Sequence, residues 1–378
     1  MTGDVEPRAA LATPEGRNST SDREDRILGI IETTRAKRAK FRDDRITMAH
    51  GAGGKATASL IEGLLVPAFA SRALDELADA GTVVIDDVGV AVSTDSFVVK
   101  PLRFPGGSIG ELAVNGTVND LAMAGARPLA LTLSMILEEG LPAEALRAEV
   151  QAIADAAREA GVQVVSGDTK VVERGACDQM YLCTTGVGHV DARASLSPAG
   201  LRAGDRILLS GRIGEHGTAI MLARGEFDLG AEVESDTRPL WPAVDAMLAA
   251  AGPHLRCLRD ATRGGVASVL NELARASGVA MLVREAAVPV SPVVTGAAEL
   301  LGIDPMHVAN EGVFVAVVAP EGAEAALKAL RGSGEEFGAA TEIGEVKTSP
   351  TGLVLVETAF GGKRVLDQLV GDPLPRIC

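Results

Sequence analysis

Two hydrophobic periods alternate along the chain, and each change of period predicts a change between helix and strand. The stretches 57–69 ("TASLIEGLLVPAF") and 142–161 carry apolar residues three and four positions apart, which predicts amphipathic helices. The stretch 82–99 is instead rich in β-branched residues on both sides of "DDVG" at 86–89, which predicts two strands joined by a turn. The alternation continues and is typical of an α/β protein. Further predicted strands are 129–137, 162–172, 206–211, 279–290 and 312–320, further predicted helices are 217–225, 237–252 and 321–334, and 257–278 is predicted as a strand edge running into a helix.

The helix predicted at 108–125 has clear signals at both ends. Ser108 and Glu111 have the spacing of a capping box, in which each side chain accepts a hydrogen bond from the backbone of the other residue. Gly125 suits the left-handed residue that ends a helix, and Pro128 follows it. We therefore expect a helix that begins at Ser108 and ends at Gly125.

The chain is long enough for two domains. Its 378 residues exceed what one hydrophobic core usually serves, and its composition breaks at 188–205, a stretch rich in glycine, proline and serine. We predict an N-terminal half at 46–190, a C-terminal α/β half at 191–370 and a mobile tail at 371–378. The segment 1–45 mixes 10 basic with 9 acidic residues, which favours a disordered extension over a mitochondrial presequence.

Composition argues against several classes of function. A formal net charge of −15 disfavours binding to nucleic acid or to anionic membranes, and no apolar run has the length of a membrane span. The four cysteines lack the spacing of a disulfide framework, and the five histidines are scattered. We therefore expect reduced thiols, no zinc centre and a cytoplasmic protein.

The stretch "HGAGGKAT" at 50–57 has the composition of a phosphate-binding loop. It is not a Walker A loop, because the first glycine of that motif would have to stand where the chain has Ala49. It satisfies the loose dinucleotide pattern, but the segment before it makes a weak strand. Glycines that expose backbone amides beside Lys55 still suit phosphate binding, with a flexible linker as the alternative.

Acidic side chains recur at predicted strand ends and in glycine-rich helical stretches. They are Asp95 in "STDSF", Asp120 beside Asn115 and Asn119 in "NGTVND", Asp168 with Lys170 in "SGDTK", and Asp260 with Arg263 in "RDATRGG". Each alone is an ordinary turn or cap residue. Together with the glycine loop they favour a magnesium–nucleotide site, because Mg²⁺ takes oxygen ligands from a few carboxylates and from substrate phosphates.

Six stretches, taken in order, resemble a known superfamily. They are "HGAGGK", "STDSFVV", "GSIGELAVNGTVNDLAMAGARP", "SGDTKVV", "LRDATRGG" and "ANEGVF". The superfamily is that of aminoimidazole ribonucleotide synthetase, selenophosphate synthetase and thiamine-monophosphate kinase. With "PLPRIC" at the terminus, the chain from about Arg45 to Cys378 is similar to its carbamoyl dehydratase family, which acts in hydrogenase maturation. The resemblance implies an α/β (α+β) fold of the PurM-like kind, with an N-terminal ATP-binding and dimerisation domain and a C-terminal α/β domain.

The resemblance also implies that ATP and Mg²⁺ are held between the subunits of a homodimer. The implied cofactor-binding residues are Gly53, Gly54, Lys55, Asp95, Asn119, Asp120, Asp168, Thr262, Arg263, Gly264 and Gly265, and the implied metal ligands are Asp87, Asp95, Asp120, Asp168 and Asp260. The stretch 262–265 precedes a predicted helix, and a helix N-terminus favours anions.

The implied reaction takes place on Cys378. By resemblance, the carbamoyltransferase HypF loads a carbamoyl group onto this thiol, ATP drives its dehydration to a thiocyanate, and the cyanide passes to iron on the HypC–HypD complex. Phosphorylation makes the oxygen a leaving group, so the site needs cations around the phosphoryl group and a base near nitrogen. We assign Lys170 to the phosphoryl group or oxygen and Glu311 to the base. The exchanged assignment stays open, because a cationic pocket lowers the pKa of a lysine.

The position of Cys378 as the last residue suits a substrate carrier. A prenylation signal would need the cysteine fourth from the end. The residues 371–378 extend to at most about 27 Å, and Pro373 and Pro375 stiffen them. Arg376 could clamp phosphate or an acidic partner.

Two other functions stay open at this point. An enzyme similar to selenophosphate synthetase would place a reactive cysteine near the glycine loop, whereas the first cysteine here is Cys177. A nucleotide-binding scaffold for maturation partners would keep the binding motifs without the chemistry.

Overall fold

Two β-sheets organise the chain in the computed structural model, which describes residues 40–74, 77–225 and 232–369. The expected tail, 371–378, and most of the expected extension, 1–45, lie outside the described residues. The mixed α/β fold class predicted from the sequence is confirmed. The domain limits remain a prediction.

Helices and strands alternate through both halves of the chain. The helices are α1 (Lys55–Leu60), α2 (Val66–Phe69), α3 (Ile109–Met123), α4 (Ala143–Glu159), α5 (Glu215–Ala223), α6 (Trp241–Ala251), α7 (Gly265–Ser277), α8 (Pro292–Leu301) and α9 (Pro320–Arg331). The strands are β1 (Gly81–Ile85), β2 (Val88–Phe97), β3 (Arg103–Phe104), β4 (Gly107–Ser108), β5 (Ala126–Glu138), β6 (Gln163–Val172), β7 (Met180–Val190), β8 (Arg206–Leu209), β9 (Leu255–Asp260), β10 (Ala280–Arg284), β11 (Phe314–Val318), β12 (Thr341–Lys347), β13 (Val354–Glu357) and β14 (Lys363–Leu366). A π-helical turn, Ile61–Leu65, joins α1 to α2.

The first sheet has the strand order β1-β2-β7-β5-β6, and α3 packs on one of its faces. Its neighbours are antiparallel except for the parallel pair β5–β6. On the covered face, the Thr184 hydroxyl donates to the carbonyl oxygen of Ala113 in α3 at 2.8 Å. Ile109 and Leu112 of α3 are fully buried in the core beneath it. The first core therefore lies between α3, α4 and one face of the sheet.

The second sheet has the strand order β14-β13-β10-β12-β8-β11-β9 and is covered on both faces. Helix α7 covers one face, where Val315 of β11 is buried, and helices α6 and α9 cover the other, where Phe314 is buried. All five residues of β11 are buried. Its unbroken apolar sequence "FVAVV" follows from this, because a strand buried on both faces has no polar side to present.

Most predicted elements are present, with several corrections. The helix 108–125 appears as α3, and Gly125 has φ of +67° after its last turn. The Ser108 side chain makes no capping hydrogen bond, although the Ser108 N–H donates to Glu111. The hydrophobic pattern did not predict β7, because glycines and threonines interrupt its apolar residues. It also missed the elements α8, β3, β4, β12, β13 and β14.

No helix among the described residues combines the length and the apolar character that a membrane span requires.

Replacing Phe314 with alanine tests the packing of the second sheet. Phe314 is 0% exposed, so we expect Phe314→Ala to lower the free energy of unfolding by about 3–5 kcal/mol. Phe360 is 100% exposed and provides the matched control, which should change stability by no more than about 0.5 kcal/mol. Urea denaturation measures both values, and equal effects of the two variants would contradict this account of the core.

Candidate active site

The glycine loop docks against the turn between β9 and α7. Gly53 has φ of +74°, and a Cβ there would lie 2.7 Å from the carbonyl oxygen of Arg263. The Gly53 carbonyl oxygen accepts a hydrogen bond from the Ser268 hydroxyl at 3.0 Å, and Arg263 donates to the Gly51 carbonyl oxygen at 3.3 Å. Position 53 therefore needs glycine both for its conformation and for this close approach.

The turn before α7 is built from two further left-handed glycines. Gly264 has φ of +77° and Gly265 has φ of +61°, and a Cβ on Gly264 would lie 3.0 Å from the Gly53 carbonyl oxygen. Helix α7 begins at Gly265, and Gly264 is its N-cap residue, preceded by Thr262 and Arg263. The two stretches predicted to bind phosphate thus form one surface, which includes a helix N-terminus that favours anions.

Lys55 makes contacts that the sequence did not predict. Its Nζ lies 2.7 Å from Asp367, and its N–H donates to the carbonyl oxygen of Leu369 at 3.2 Å. The carbonyl oxygen of Asp367 also lies 3.0 Å from His307 Nε2. Lys55 therefore ties the glycine loop to the last described residues of the chain, and its role in phosphate binding remains a prediction.

A cluster of acidic side chains lies where β2, α3 and β9 meet. It contains Asp95 of β2, Asp120 of α3, Asp260 of β9 and Asp79 from the segment before β1. Arg259 forms an ion pair with Asp79 at 2.6 Å. We call these four aspartates the acid cluster.

Repulsion inside the acid cluster shifts the titration of Asp120. Burial raises the pKa of the Asp120 carboxyl well above its usual range, and the charges of the other three aspartates raise it further. A hydrogen bond from the Ser93 hydroxyl to Asp120 opposes this shift. Asp120 is therefore costly to ionise unless a cation lies nearby.

The pKa values of Asp260 and Asp79 are also raised by burial. Burial raises the pKa of Asp260 well above its usual range, with further repulsion from Asp79 and Glu311, while Arg259 lowers it. Burial also raises the pKa of Asp79 in spite of its pairing with Arg259. One buried carboxylate oxygen of Asp79 has no hydrogen-bond partner among the described residues. The negative charge of the cluster thus exceeds what Arg259 compensates.

These donors fit a hard cation by their chemistry, because Mg²⁺ prefers carboxylate oxygens. As the side chains stand, the described residues contain no group of three or more His, Cys, Asp or Glu arranged to hold a metal ion. Asp95 is 3.3 Å from Arg263 of the turn before α7, which places the acid cluster beside the surface predicted to bind phosphate.

Asp168 and Lys170 lie apart from the acid cluster in the same chain. They pair with each other at 3.1 Å and are exposed on the edge strand β6. Asp95 faces α3, since a Cβ on Gly116 would lie 3.8 Å from it. Asp168 is paired with Ser134 of β5. The pairings of β5 with β7 and of β7 with β2 place these two residues in line with Ser96, the residue after Asp95. Because side chains alternate along a strand, Asp168 points to the uncovered face of the sheet.

Asp87 is also separated from the cluster. It occupies the turn between β1 and β2 with φ of +66°. Asp95 is eight residues further along the extended strand, or roughly 26 Å at the usual rise per residue. Within one chain the structure therefore does not bring Asp87 to the other proposed metal ligands.

Asn119 is fully engaged with the backbone instead of facing the acid cluster. Its amide donates to the carbonyl oxygens of Arg238 and Glu311 at 2.9 and 3.1 Å, and its oxygen accepts from the Leu240 N–H at 2.8 Å. This geometry assigns Asn119 to holding Glu311 in place, and its predicted contact with the cofactor stays untested.

Glu311 is buried, whereas the sequence alone was compatible with a solvated acid. Its charge acts on Asp260, so its carboxylate lies near the acid cluster. The sequence did not indicate Asp79 or Arg259, nor did it indicate Asp236, whose Oδ1 accepts a hydrogen bond from the Glu311 N–H at 3.0 Å. Arg259 could have been suspected from its position beside Asp260, but Asp79 stands in an ordinary turn sequence. Cys378 lies outside the described residues.

Two family models match the chain. The model for the AIR synthase related protein, N-terminal domain, matches residues 77–190, and the model for the C-terminal domain matches residues 202–356. The two matches together span most of the chain, so the chain is an AIR synthase-related protein of the PurM-like superfamily.

Individual relatives of the chain identify its family within this superfamily. The carbamoyl dehydratase HypE of Cupriavidus necator is 48% identical over 355 residues, which are 93% of this chain and 100% of the relative. A solved structure of hydrogenase maturation protein HypE in complex with ATP has a TM-score of 0.74 at 44% identity, covering 88% of this chain and 100% of that one. A solved HypE–HypF complex has a TM-score of 0.78 at 43% identity, covering 82% and 100%. The chain belongs to the HypE family of carbamoyl dehydratases, which confirms the resemblance found in its motifs.

The acid cluster predicts an unusual dependence of stability on pH. The pKa of Asp120 is raised above 3.8 by folding, so the folded protein loses stability as pH rises and Asp120 ionises. Asp120→Asn cannot ionise, and its stability relative to the natural chain should increase as pH rises above 3.8 in metal-free buffer. The gain is about 1.4 kcal/mol for each unit of raised pKa.

Urea denaturation between pH 4 and pH 8 measures this difference. The exposed Asp155 of α4 provides a control, and Asp155→Asn should show no such trend. A stability difference between Asp120→Asn and the natural chain that does not change with pH would rule out the proposed repulsion.

Proposed function

We propose that this chain is an ATP-dependent carbamoyl dehydratase that acts on a carbamoyl group carried by its own Cys378 and supplies cyanide for the NiFe hydrogenase iron centre. The main support is the position of the last described residues. Leu369 is hydrogen-bonded to Lys55 in the glycine loop, so the residues 370–378 start beside this loop. Nine extended residues span at most about 30 Å. We propose that this reach brings the Cys378 thiol to a nucleotide bound at the glycine loop.

ATP is proposed to bind where the glycine loop meets the N-terminus of α7. Backbone N–H groups of Gly54 and 262–264 would contact phosphate there, together with the Arg263 guanidinium. The Gly53 N–H already donates to the Thr57 hydroxyl at 3.0 Å, and the Gly265 N–H donates to the carbonyl oxygen of Thr262 at 2.9 Å. A relative of 44% identity was solved in complex with ATP. We propose Asp95, Asp120 and Asp260 as the Mg²⁺ ligands nearest to these phosphates. The cation would neutralise both the acid cluster and the phosphate groups.

A homodimer would complete the site. The uncovered face of the first sheet exposes large apolar side chains, including Val83 at 47%, Ile85 at 56% and Val92 at 38% exposed. An apolar sheet surface of this kind favours a protein partner. A second copy on this face would place Asp168 and Lys170 at the interface, where they could contribute to the partner's nucleotide site.

The proposed chemistry moves one phosphoryl group and two nitrogen-bound protons. The carbamoyl oxygen on Cys378 takes the terminal phosphoryl group of ATP and releases ADP, and the nitrogen gives up its first proton as the carbon–nitrogen double bond forms. Loss of the second nitrogen-bound proton to a base then forms the carbon–nitrogen triple bond, as the carbon–oxygen bond breaks and phosphate leaves. Glu311 is proposed as the base and Lys170 as the stabiliser of oxygen or phosphate. The burial of Glu311 beside Asp260 supports this assignment, and the exchanged assignment remains a hypothesis.

HypF is proposed as the donor partner and the HypC–HypD complex as the acceptor of cyanide, with all of them in the cytoplasm. A HypE–HypF complex of a relative 43% identical to this chain supports the first of these interactions.

Intact-protein mass spectrometry tests the proposed reaction. After incubation with a carbamoyl donor system, we expect a mass gain of one carbamoyl group, followed by loss of one water when ATP is added. Cys378→Ala should abolish both changes, whereas Cys177→Ala should keep both. An unmodified Cys378 would favour the scaffold function, and phosphate release that depends on selenide would favour the selenophosphate synthetase-like function.

Gly53→Ala tests the nucleotide site. The new Cβ would be strained at φ of +74° and would lie 2.7 Å from the Arg263 carbonyl oxygen. We expect ATP affinity to fall by about tenfold or more, because displacement of the loop removes phosphate contacts. Gly51 has nothing within 4 Å of its added Cβ, so Gly51→Ala is the matched control and should bind ATP normally. Titration calorimetry measures both, and equal affinities would refute the proposed loop contact.

A further inference from the structure

The tripeptide Asn310–Gly312 is held rigidly on several sides. The Asn310 side chain accepts from the Gly214 N–H at 2.7 Å and donates to the carbonyl oxygen of Ala261 at 2.8 Å. Ala261 directly follows Asp260 of the acid cluster. These bonds fix the register of the tripeptide against the end of β9.

Asp236 and Asn119 hold the central residue, Glu311, through its backbone. The Glu311 N–H donates to Asp236 Oδ1 at 3.0 Å, and the Glu311 carbonyl oxygen accepts from Asn119 Nδ2 at 3.1 Å. Asp236 also accepts a hydrogen bond from the N–H of Gly312. A Cβ on Gly312 would collide with the Asp236 carbonyl oxygen, so the two segments pack without space between them.

The burial of the Asp236 carboxylate at this position is energetically unfavourable. Asp236 is 2% exposed, and its other carboxylate oxygen has no hydrogen-bond partner among the described residues. Burial raises its pKa to about 6, and the bonds from Glu311 and Gly312 oppose that shift. A buried carboxylate with an unpaired oxygen destabilises a fold, so stability alone does not account for it.

We propose that Asp236 is a positioning residue that fixes the Glu311 backbone and thereby keeps the Glu311 carboxylate beside the acid cluster. Asn119 holds the opposite side of the same residue. Asp236 and Asn119 come from different halves of the chain, so the position of Glu311 depends on how the halves dock. This inference rests on the proposed function, in which Glu311 acts on the carbamoyl group.

The test compares Asp236→Ala with Asp236→Asn in the full-length chain loaded with a carbamoyl group. Alanine removes the acceptor of the Glu311 N–H, and kcat for ATP-dependent dehydration should fall by about tenfold or more while KM for ATP changes by less than about threefold. Asparagine keeps an oxygen in place of Oδ1, so Asp236→Asn should recover kcat to within about threefold of the natural chain.

Ser210→Ala is the matched control for lost stability. The Ser210 hydroxyl oxygen accepts the N–H of Phe314 at 2.8 Å in the same buried region, three residues beyond Glu311. Its loss should lower Tm as Asp236→Ala does but leave kcat unchanged. If Asp236→Ala does not fold, Asp236→Ser, whose hydroxyl falls short of the Glu311 N–H, replaces it.

Different results would contradict the proposed function and the positioning role of Asp236. A natural chain that loses no water on addition of ATP would contradict the proposed function. If the natural chain turns over and Asp236→Ala keeps its kcat, or if Asp236→Asn loses as much kcat as alanine, Asp236 does not position Glu311.

Discussion

Helix α3 is the constraint on which the rest of the structure depends. Thirteen of its fifteen residues are buried, because it packs on the first sheet and also contacts elements of the second half. A helix enclosed in this way cannot place its polar residues toward water, so each must find a partner inside the protein. Asp120 faces the acid cluster, whereas its neighbour Asn119 bonds to backbone near Glu311. One helical turn thus contributes both to the acid cluster and to the hydrogen bonds around Glu311.

The acid cluster and the glycine loop with the N-terminus of α7 have complementary electrostatic preferences. The acid cluster alone is repulsive, and the nearby glycine loop with the N-terminus of α7 favours anions. A nucleotide with its metal would satisfy both surfaces at once, since each neutralises the other. The last described residues, Asp367 and Leu369, contact Lys55 of the same loop.

The single chain still leaves three predicted residues, Asp87, Asp168 and Lys170, apart from this centre. Asp168 and Lys170 project from the edge strand on the uncovered face of the first sheet. Their separation from Asp95 follows from the alternation of side chains along a strand and from the two strands, β7 and β5, that lie between β2 and β6. The proposed two-subunit site would account for both their position and the exposed apolar side chains of the same face.

The sequence by itself determined the local elements and the kind of chemistry. The periods of 57–69 and 142–161, the glycine at 125 and the ordered motifs predicted the helices, the fold class and the family, because these depend on near neighbours and on a recognisable order. Tertiary structure decided the rest. The role of Asn119, the pairing of Lys55 with Asp367 and the presence of Asp79 and Asp236 depend on contacts between distant segments. The hydrophobic periodicity of a sequence does not predict such contacts, because they join residues that are far apart in the chain. Only the docking of the two sheets around α3 could reveal them.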